Sequence, residues 1–372
     1  MKKILSLMLI LALLAVTFVG CAPAEEDPVD EPEVAAPVED EEDEEEEEEP
    51  VGEAGAIASF GLGQNISIAK SSPAGDDKTA QAQADVTIAA VGFDADGKVA
   101  SVTIDVAQTR VAFDEDMQVT SDLEAEVATK KELKEEYGML KASEIEAEWF
   151  EQAEALEAWM IGKTIEEISG MPTYEKDESH LQVPDLEELK SSVTIDVGGY
   201  LAAVEEAWEN REDVAGAETV GLGVLTSIGK SSSAEGDTTA QAQVDTTMAA
   251  TAFDADGNVA GAQIDVAQVR VAYDEEGQIT SNLEDEIKTK QELKEEYGML
   301  KASEIDKEWF EQMAALEEWM VGKSVDDITG MPVFEKDPSH LNVPDVEELK
   351  SSVTITVESY LAVVEEASTI AK

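Results

Sequence analysis

Thr129 to Ile145 reads TKKELKEEYGMLKASEI, and Thr289 to Ile305 reads TKQELKEEYGMLKASEI. Sixteen of the seventeen positions agree, 160 residues apart. A repeat at one fixed period decides the architecture before any single element is read. The match runs from the Ile66 region to Ala207 and, in the second copy, from the Thr226 region to Ala367. Each copy is about 150 residues, enough for a domain with its own core. The polar stretch 209–218 reads as a short linker between repeats at 56–208 and 219–372.

Within each copy the pattern begins as sheet. Ile57 to Lys70 reads as a strand in which Gly61 and Gly63 mark bends. Ala80 to Phe93 is rich in small and β-branched residues. Val99 to Ala112 alternates through Val102, Ile104 and Val106, the period of a strand. The second copy repeats this order through Val259 to Ala272. The pattern then turns helical. Lys130 to Tyr137 predicts a short helix ending near Gly138. Ser143, with Glu146 three residues on, has the form of a capping box and predicts a helix from there to Met160. Trp149, Ala153, Leu156 and Met160 make its apolar stripe. A final helix is expected over Gly199 to Ala207. Sheet first and helices after gives an α+β class, with two tandem homologous domains, each an antiparallel sheet followed by helices.

The N-terminus carries a different signal. Lys2 and Lys3 precede an apolar run from Ile4 to Val19, then Gly20 and Cys21. This is the form of a secretory signal over 1–20. The apolar run is short for a helix crossing a hydrocarbon core of about 30 Å. Val19-Gly20-Cys21 resembles a bacterial lipobox, although Phe18 stands where an aliphatic residue is usual. That resemblance implies lipidation of Cys21, an extracytoplasmic location and attachment to membrane lipid. The alternative is an ordinary cleaved signal followed by a chance cysteine. Cys21 is the only cysteine, so no intrachain disulfide can form.

Charge sets the next limits. The chain carries a formal net charge of −60, and Glu39 to Glu49 are all acidic. Such a block repels itself and forms no core, so 21–55 is expected to be a disordered, Pro- and Glu-rich tether. A body this acidic is repelled by nucleic acid and anionic phospholipid, and nucleic acid is not an expected partner. High acidity also suits work in strong salt or alkaline medium, where screening weakens self-repulsion.

Several residue groups invite a chemical reading. Asp94-Ala95-Asp96-Gly97 and Asp254-Ala255-Asp256-Gly257 suggest calcium, but they lack the third oxygen ligand and terminal Glu of an EF-hand loop. Asp-Gly between strands is a hairpin signal. His180 and His340, one per copy, lie near Asp177 and Asp337 and make a sparse metal set. Trp149, Phe150 and Trp159 have the spacing of a helical core rather than a stacking platform. No catalytic triad, Walker or dinucleotide motif is present, so no catalytic residue and no metal ligand is assigned.

The end of each copy carries the most specific motif. Ser191-Ser192-Val193-Thr194-Ile195-Asp196 precedes the last helix, and Ser351-Ser352-Val353-Thr354-Ile355-Thr356 does so in the second copy. This run resembles the closing motif of the FMN-binding domain family, which includes flavin subunits of sodium-pumping NADH:quinone reductases and related electron-transfer lipoproteins. The Asp94 to Lys98 turn rising into Val-x-Ile-x-Val resembles another of its segments. Ser192 and Ser352 stand where the family has Gly, and Val193 and Val353 where it has Ala. The resemblance implies FMN as cofactor, bound at Ser192, Thr194, Ser352 and Thr354, with Thr194 and Thr354 as phosphoester sites. It implies extracytoplasmic flavin-based electron transfer to a membrane or extracellular redox partner. The alternative reading is a cofactor-free envelope lipoprotein with a binding or structural role.

Overall fold

A computed structural model describes residues 55–75, 78–338 and 340–372. The expected signal segment 1–20, Cys21 and the acidic stretch up to residue 54 lie outside the described residues. The first repeat opens with three long antiparallel strands, β1 (Ile57–Ser67), β2 (Gln81–Asp94) and β3 (Val99–Ala112). The Asp94 turn works as its sequence suggests. Asp94 Oδ1 accepts from the amides of Asp96 and Lys98, each at 2.9 Å, and Gly97 takes φ +76°. Such an Asx turn closes a hairpin with no metal.

After the sheet come α1 (Lys130–Leu133), a 3-10 turn over Lys134–Tyr137, α2 (Trp149–Met160) and α3 (Ile165–Ser169). A two-residue ribbon, β4 (Thr173–Tyr174) with β5 (Val183–Pro184), leads to α4 (Gly198–Glu209) and the short β6 (Glu212–Asp213). The second repeat follows the same order: β7 (Ala217–Ser227), β8 (Gln241–Asp254), β9 (Val259–Ala272), α5 (Lys290–Leu293), α6 (Trp309–Met320), α7 (Val325–Thr329), β10 (Val333–Phe334), β11 (Val343–Pro344) and α8 (Glu358–Thr369). The fold is α+β, with two repeated units, each an antiparallel sheet followed by helices.

One expected helix start is corrected. Helix α2 begins at Trp149, six residues after Ser143. Glu146 adopts φ +55° and breaks the helical path. The Ser143 hydroxyl instead accepts from the Ala147 amide at 3.2 Å. Glu148 holds the entry: its carboxylate accepts from the amides of Met139 and Leu140 at 2.8 and 3.0 Å.

The central strands are buried on both faces. In β2, Val86, Ile88 and Ala90 face one core, while Ala89, Val91 and Phe93 face another. The second of these cores belongs to the first repeat alone and includes Trp149, Leu156, Val204 and Ala207. Its counterpart in the second repeat includes Trp309, Leu316, Val364 and Ala367. The first core is shared: Phe60, Ile88 and Phe113 of one repeat pack with Leu222, Met248 and Tyr273 of the other. The layers therefore run helices, sheet, sheet, helices. Each buried aliphatic side chain contributes roughly 1.5–3 kcal/mol, so the shared layer holds the repeats together strongly.

Reciprocal hydrogen bonds show an approximate two-fold relation. Ala74 N donates to Gly277 O at 2.9 Å, and Ala234 N donates to Met117 O at 3.0 Å. The Gln118 amide reaches Ala234 O at 2.9 Å, and the Gln278 amide reaches Ala74 O at 3.1 Å. The edge of β1 is closed by side chains as well as by β6. Leu62 N donates to Gln263 Oε1 and Gln64 N to Glu206 Oε2, at 2.8 and 2.7 Å. A closed edge resists pairing with other chains.

Gly61 and Gly63 are not bends. They lie within the continuous β1/β2 ladder, whose one register shift falls at Ile57/Ser59. Their role is close approach. A Cβ on Gly61 would meet Ala207 O at 1.8 Å, and one on Gly63 would meet Ala203 O at 2.0 Å. The missing side chains let α4 lie against the strand.

Candidate functional site

The motif run at the end of each repeat forms a tight turn between the ribbon and the last helix. In the first repeat, Val193 N donates to Leu189 O at 2.8 Å, and the Ser192 hydroxyl donates to the same carbonyl at 3.4 Å. Val193 and Val353 are each 1% exposed and point into the helix-facing cores. The bulky residue in place of Ala therefore fills protein interior and does not block the outer side of the turn. Thr194 is partly exposed, with its amide bonded to Gln152 Oε1 at 2.9 Å and its hydroxyl 3.3 Å from the same atom. Thr354 repeats this on Gln312, at 2.9 and 3.4 Å. Both glutamines are fully buried and stand on the helix that also carries the core tryptophan.

The two turns differ one step later. In the first repeat, Asp196 Oδ2 accepts from the amides of Leu181 and Gln182 at 2.7 and 2.9 Å, and Oδ1 accepts from Gly198 N at 3.1 Å. A fixed carboxylate thus fills the nest of amides at the helix entry, where an anion from outside would otherwise be received. In the second repeat the position is Thr356. Its hydroxyl is buried and has no hydrogen-bond partner among the described residues. A cleft of about 420 Å³ opens at Thr354, lined also by Phe334, Val343, Pro344, Asp345, Lys350 and Val353. Phe334 is 43% exposed and Leu341 51%, as Tyr174 at 44% and Leu181 at 56% are in the first repeat. The Lys350 ammonium pairs with Glu347 at 2.9 Å and lies 3.7 Å from Asp345. Glu358, at the head of α8, is engaged by the Asn342 side chain at 2.7 Å.

The other candidates resolve locally. His180 Nδ1 lies 2.8 Å from Asp177 Oδ1, and His340 makes the corresponding pair with Asp337 at 2.9 Å. Among the described residues no group of three or more His, Cys, Asp or Glu is placed to hold a metal ion. Trp149 is 1% exposed and donates to the Tyr200 hydroxyl at 2.9 Å, so it belongs to the core. Trp159 is partly exposed, donates to Glu188 at 3.1 Å and has the Lys163 ammonium 4.8 Å from its ring.

Lys130, which is buried, and Lys290, which is partly so, escape a reading by motif. Lys130 and Lys290 each open the short helix after the third strand. Each ammonium sits over a tyrosine and a tryptophan ring: 4.9 Å from Tyr137 and 5.3 Å from Trp149, then 4.9 Å from Tyr297 and 5.2 Å from Trp309. Burial pushes both amines down to about 8. The usable signal was their recurrence at one period in a chain poor in cations.

Carboxylates are buried too, and not symmetrically. Glu157 accepts from Ile104 N at 2.7 Å and is paired with Lys131 at 2.5 Å and Lys372 at 2.8 Å. Glu317 accepts from Ile264 N at 2.6 Å, but Gln291 stands in place of Lys131. Glu212 occupies the position that matches Lys372. Burial pushes Glu317 up to about 8, and the Glu212 and Asp265 charges add to this.

Set against known protein families, curated proteins and solved structures, the chain finds no match.

Proposed function

We propose that this protein is an extracytoplasmic electron-transfer lipoprotein, anchored through Cys21, that carries FMN on Thr354 of its second repeat. The two repeats descend from one duplicated unit, and only the second keeps a site that fits the cofactor. The observation that carries this reading is the exchange of Asp196 for Thr356. At Thr194 a carboxylate already fills the amide nest, so a flavin phosphate there meets a fixed negative charge. At position 356 that carboxylate is replaced by a threonine, Thr354 lines the cleft together with Asp345 and Lys350, and Phe334 offers an exposed ring for stacking. The cleft's volume falls within the usual range for cofactor sites. When bound, a flavin supplies the electron chemistry, while the chain supplies position and electrostatics. Ser352 shapes the turn that presents Thr354, as Ser192 does for Thr194.

The acidic body disfavours an acidic redox partner and favours a basic one. In the sequence, a long acidic stretch separates Cys21 from the first repeat. For the first repeat the same reasoning favours a cofactor-free, structural role, with Asp196 as the observation behind it.

Expressed in a host with a flavin-transfer enzyme, the chain is expected to be yellow. Thr354→Ala should be colourless, whereas Thr194→Ala should keep the colour. A visible spectrum of the three proteins checks this. A colourless wild-type chain leaves the envelope binding or structural role as the surviving reading.

A further inference from the structure

We infer that the cleft between β9 and the segment around α5 is a binding site for a compact oxyanion, either a phosphate group or a polycarboxylate. The cleft has a volume of about 490 Å³ and is lined by Gln268, Arg270, Lys288, Lys290, Glu296 and Tyr297, with two apolar side chains. Three cations meet there in a chain whose net charge is −60. Among the described residues none of the three has a carboxylate oxygen within 4.0 Å. The nearby Asp245 is already committed to Lys230 at 2.8 Å and to the Gln243 amide at 2.9 Å.

Two of the three cations are held in place, which favours a built site over a chance patch, and Lys288 is exposed at its rim. Arg270 donates from Nε to Gln243 Oε1 at 3.0 Å and from Nη2 to Gln268 Oε1 at 2.9 Å. Its Nη1 has no partner among the described residues and remains for a ligand. The Lys290 ammonium is caged over Tyr297 and Trp309. An ammonium removed from water with no carboxylate beside it is unfavourable, and an oxyanion relieves that. The charged groups around Lys290 are Asp245 and Asp265, which favour its protonated form, and Lys230 and Arg270, which oppose it. Glu296 and Tyr297 line the same cleft.

The first repeat supplies an internal control. It has Gln108, Arg110, Lys130 and Tyr137 at the matching positions, and Arg110 is held by Gln83 at 2.9 Å. It has Ala128 where the second repeat has Lys288. The inference is independent of the flavin reading, since none of these residues lines the Thr354 cleft.

Titration calorimetry of the full, flavin-free chain with inorganic phosphate and, separately, with citrate tests it. One tight saturable site is expected, with the matching cleft of the first repeat, which lacks the Lys288 cation, binding about tenfold more weakly. Phosphate alone as ligand identifies a phosphate group, and citrate alone a polycarboxylate. Lys288→Ala should weaken binding about tenfold, the loss of one charge-assisted contact. Lys290→Met should abolish binding, and Lys290→Arg should restore part of it. Ala128→Lys should add a second tight site. Affinity should fall as pH rises through about 8, because Lys290 must be protonated to hold an anion. Absence of saturable binding to both probes overturns the inference. So does binding that Lys288→Ala and Lys290→Met leave unchanged.

Discussion

Gly223→Ala is expected to destabilise the protein by about 3 kcal/mol, at the upper end of what a single added methyl group does. The reason is backbone crowding. A Cβ at Gly223 would lie 1.8 Å from Val363 O, and one at Gly221 would lie 1.9 Å from Ala367 O. These are main-chain atoms of α8, so relief requires moving a whole helix. That helix is fixed from the side, because Glu366 Oε2 accepts from Val224 N at 2.8 Å on the strand it covers. Gly63→Ala should behave alike, with Glu206 clasping Gln64 at 2.7 and 2.6 Å. Gly75→Ala is a suitable control, since nothing lies within 4 Å of its Cβ position. Urea unfolding of the variants checks this. A loss below about 0.5 kcal/mol at Gly223, the range of ordinary surface substitutions, would sink the close-approach argument.

The second large effect concerns pH. Glu317 is raised to about 8 in the folded protein, above its ordinary value of 4.5. A raised carboxyl contributes stability that is fully present below about 4.5 and is lost as pH climbs through about 8. Asp265, raised to about 6, and Glu206 and Glu366, raised to about 7, act in the same direction. The protein should therefore melt at a higher temperature near pH 5 than near pH 8. Giving Glu317 the partners that Glu157 has should remove part of that slope. The double variant Gln291→Lys with Glu212→Lys is expected to gain about 2 kcal/mol at pH 8, within the range of a completed buried ion pair. It should gain little from this pair below about 4.5, where Glu317 is protonated in both states. Thermal melts of both proteins across the range test it. An equal gain at pH 5 and pH 8 would point to relief of general surface repulsion instead.

Much of the layout was legible because local chemistry specified it. Val102, Ile104 and Val106 alternate as a strand must, and Asp94 with Gly97 writes the turn. Ser143 misled because a capping box is read from residue types at a fixed spacing and says nothing of the backbone between them. The left-handed backbone at Glu146, which cancels it, leaves no mark in the residue types. Gly61 and Gly63 read as bends because a sequence displays conformational freedom and hides the neighbour that demands it. That neighbour, Ala203 and Ala207 of α4, is about 140 residues away. The shared core was invisible for a related reason. Val86 and Ala89 are both apolar, and one repeat gives no hint that each faces a different partner.

The candidate site divides the same way. The turn holding Thr194 and Thr354 could be found from its motif. The difference that matters, Asp196 against Thr356, was in plain view, but its meaning needed the amides of Leu181, Gln182 and Gly198 placed around it. The cation cleft brings Gln268 and Arg270 of β9 against Lys288 and Lys290 across the loop between them, so no short motif marks it.

The central claim is that flavin, if the chain is given the means to acquire it, is attached once and on the second repeat. Intact mass followed by peptide mapping, on chain made alongside a flavin-transfer enzyme, tests this most directly. The account predicts a gain of one flavin mononucleotide less water, carried on the peptide that contains Thr354. An unmodified chain, or a flavin found on the peptide containing Thr194, would contradict it.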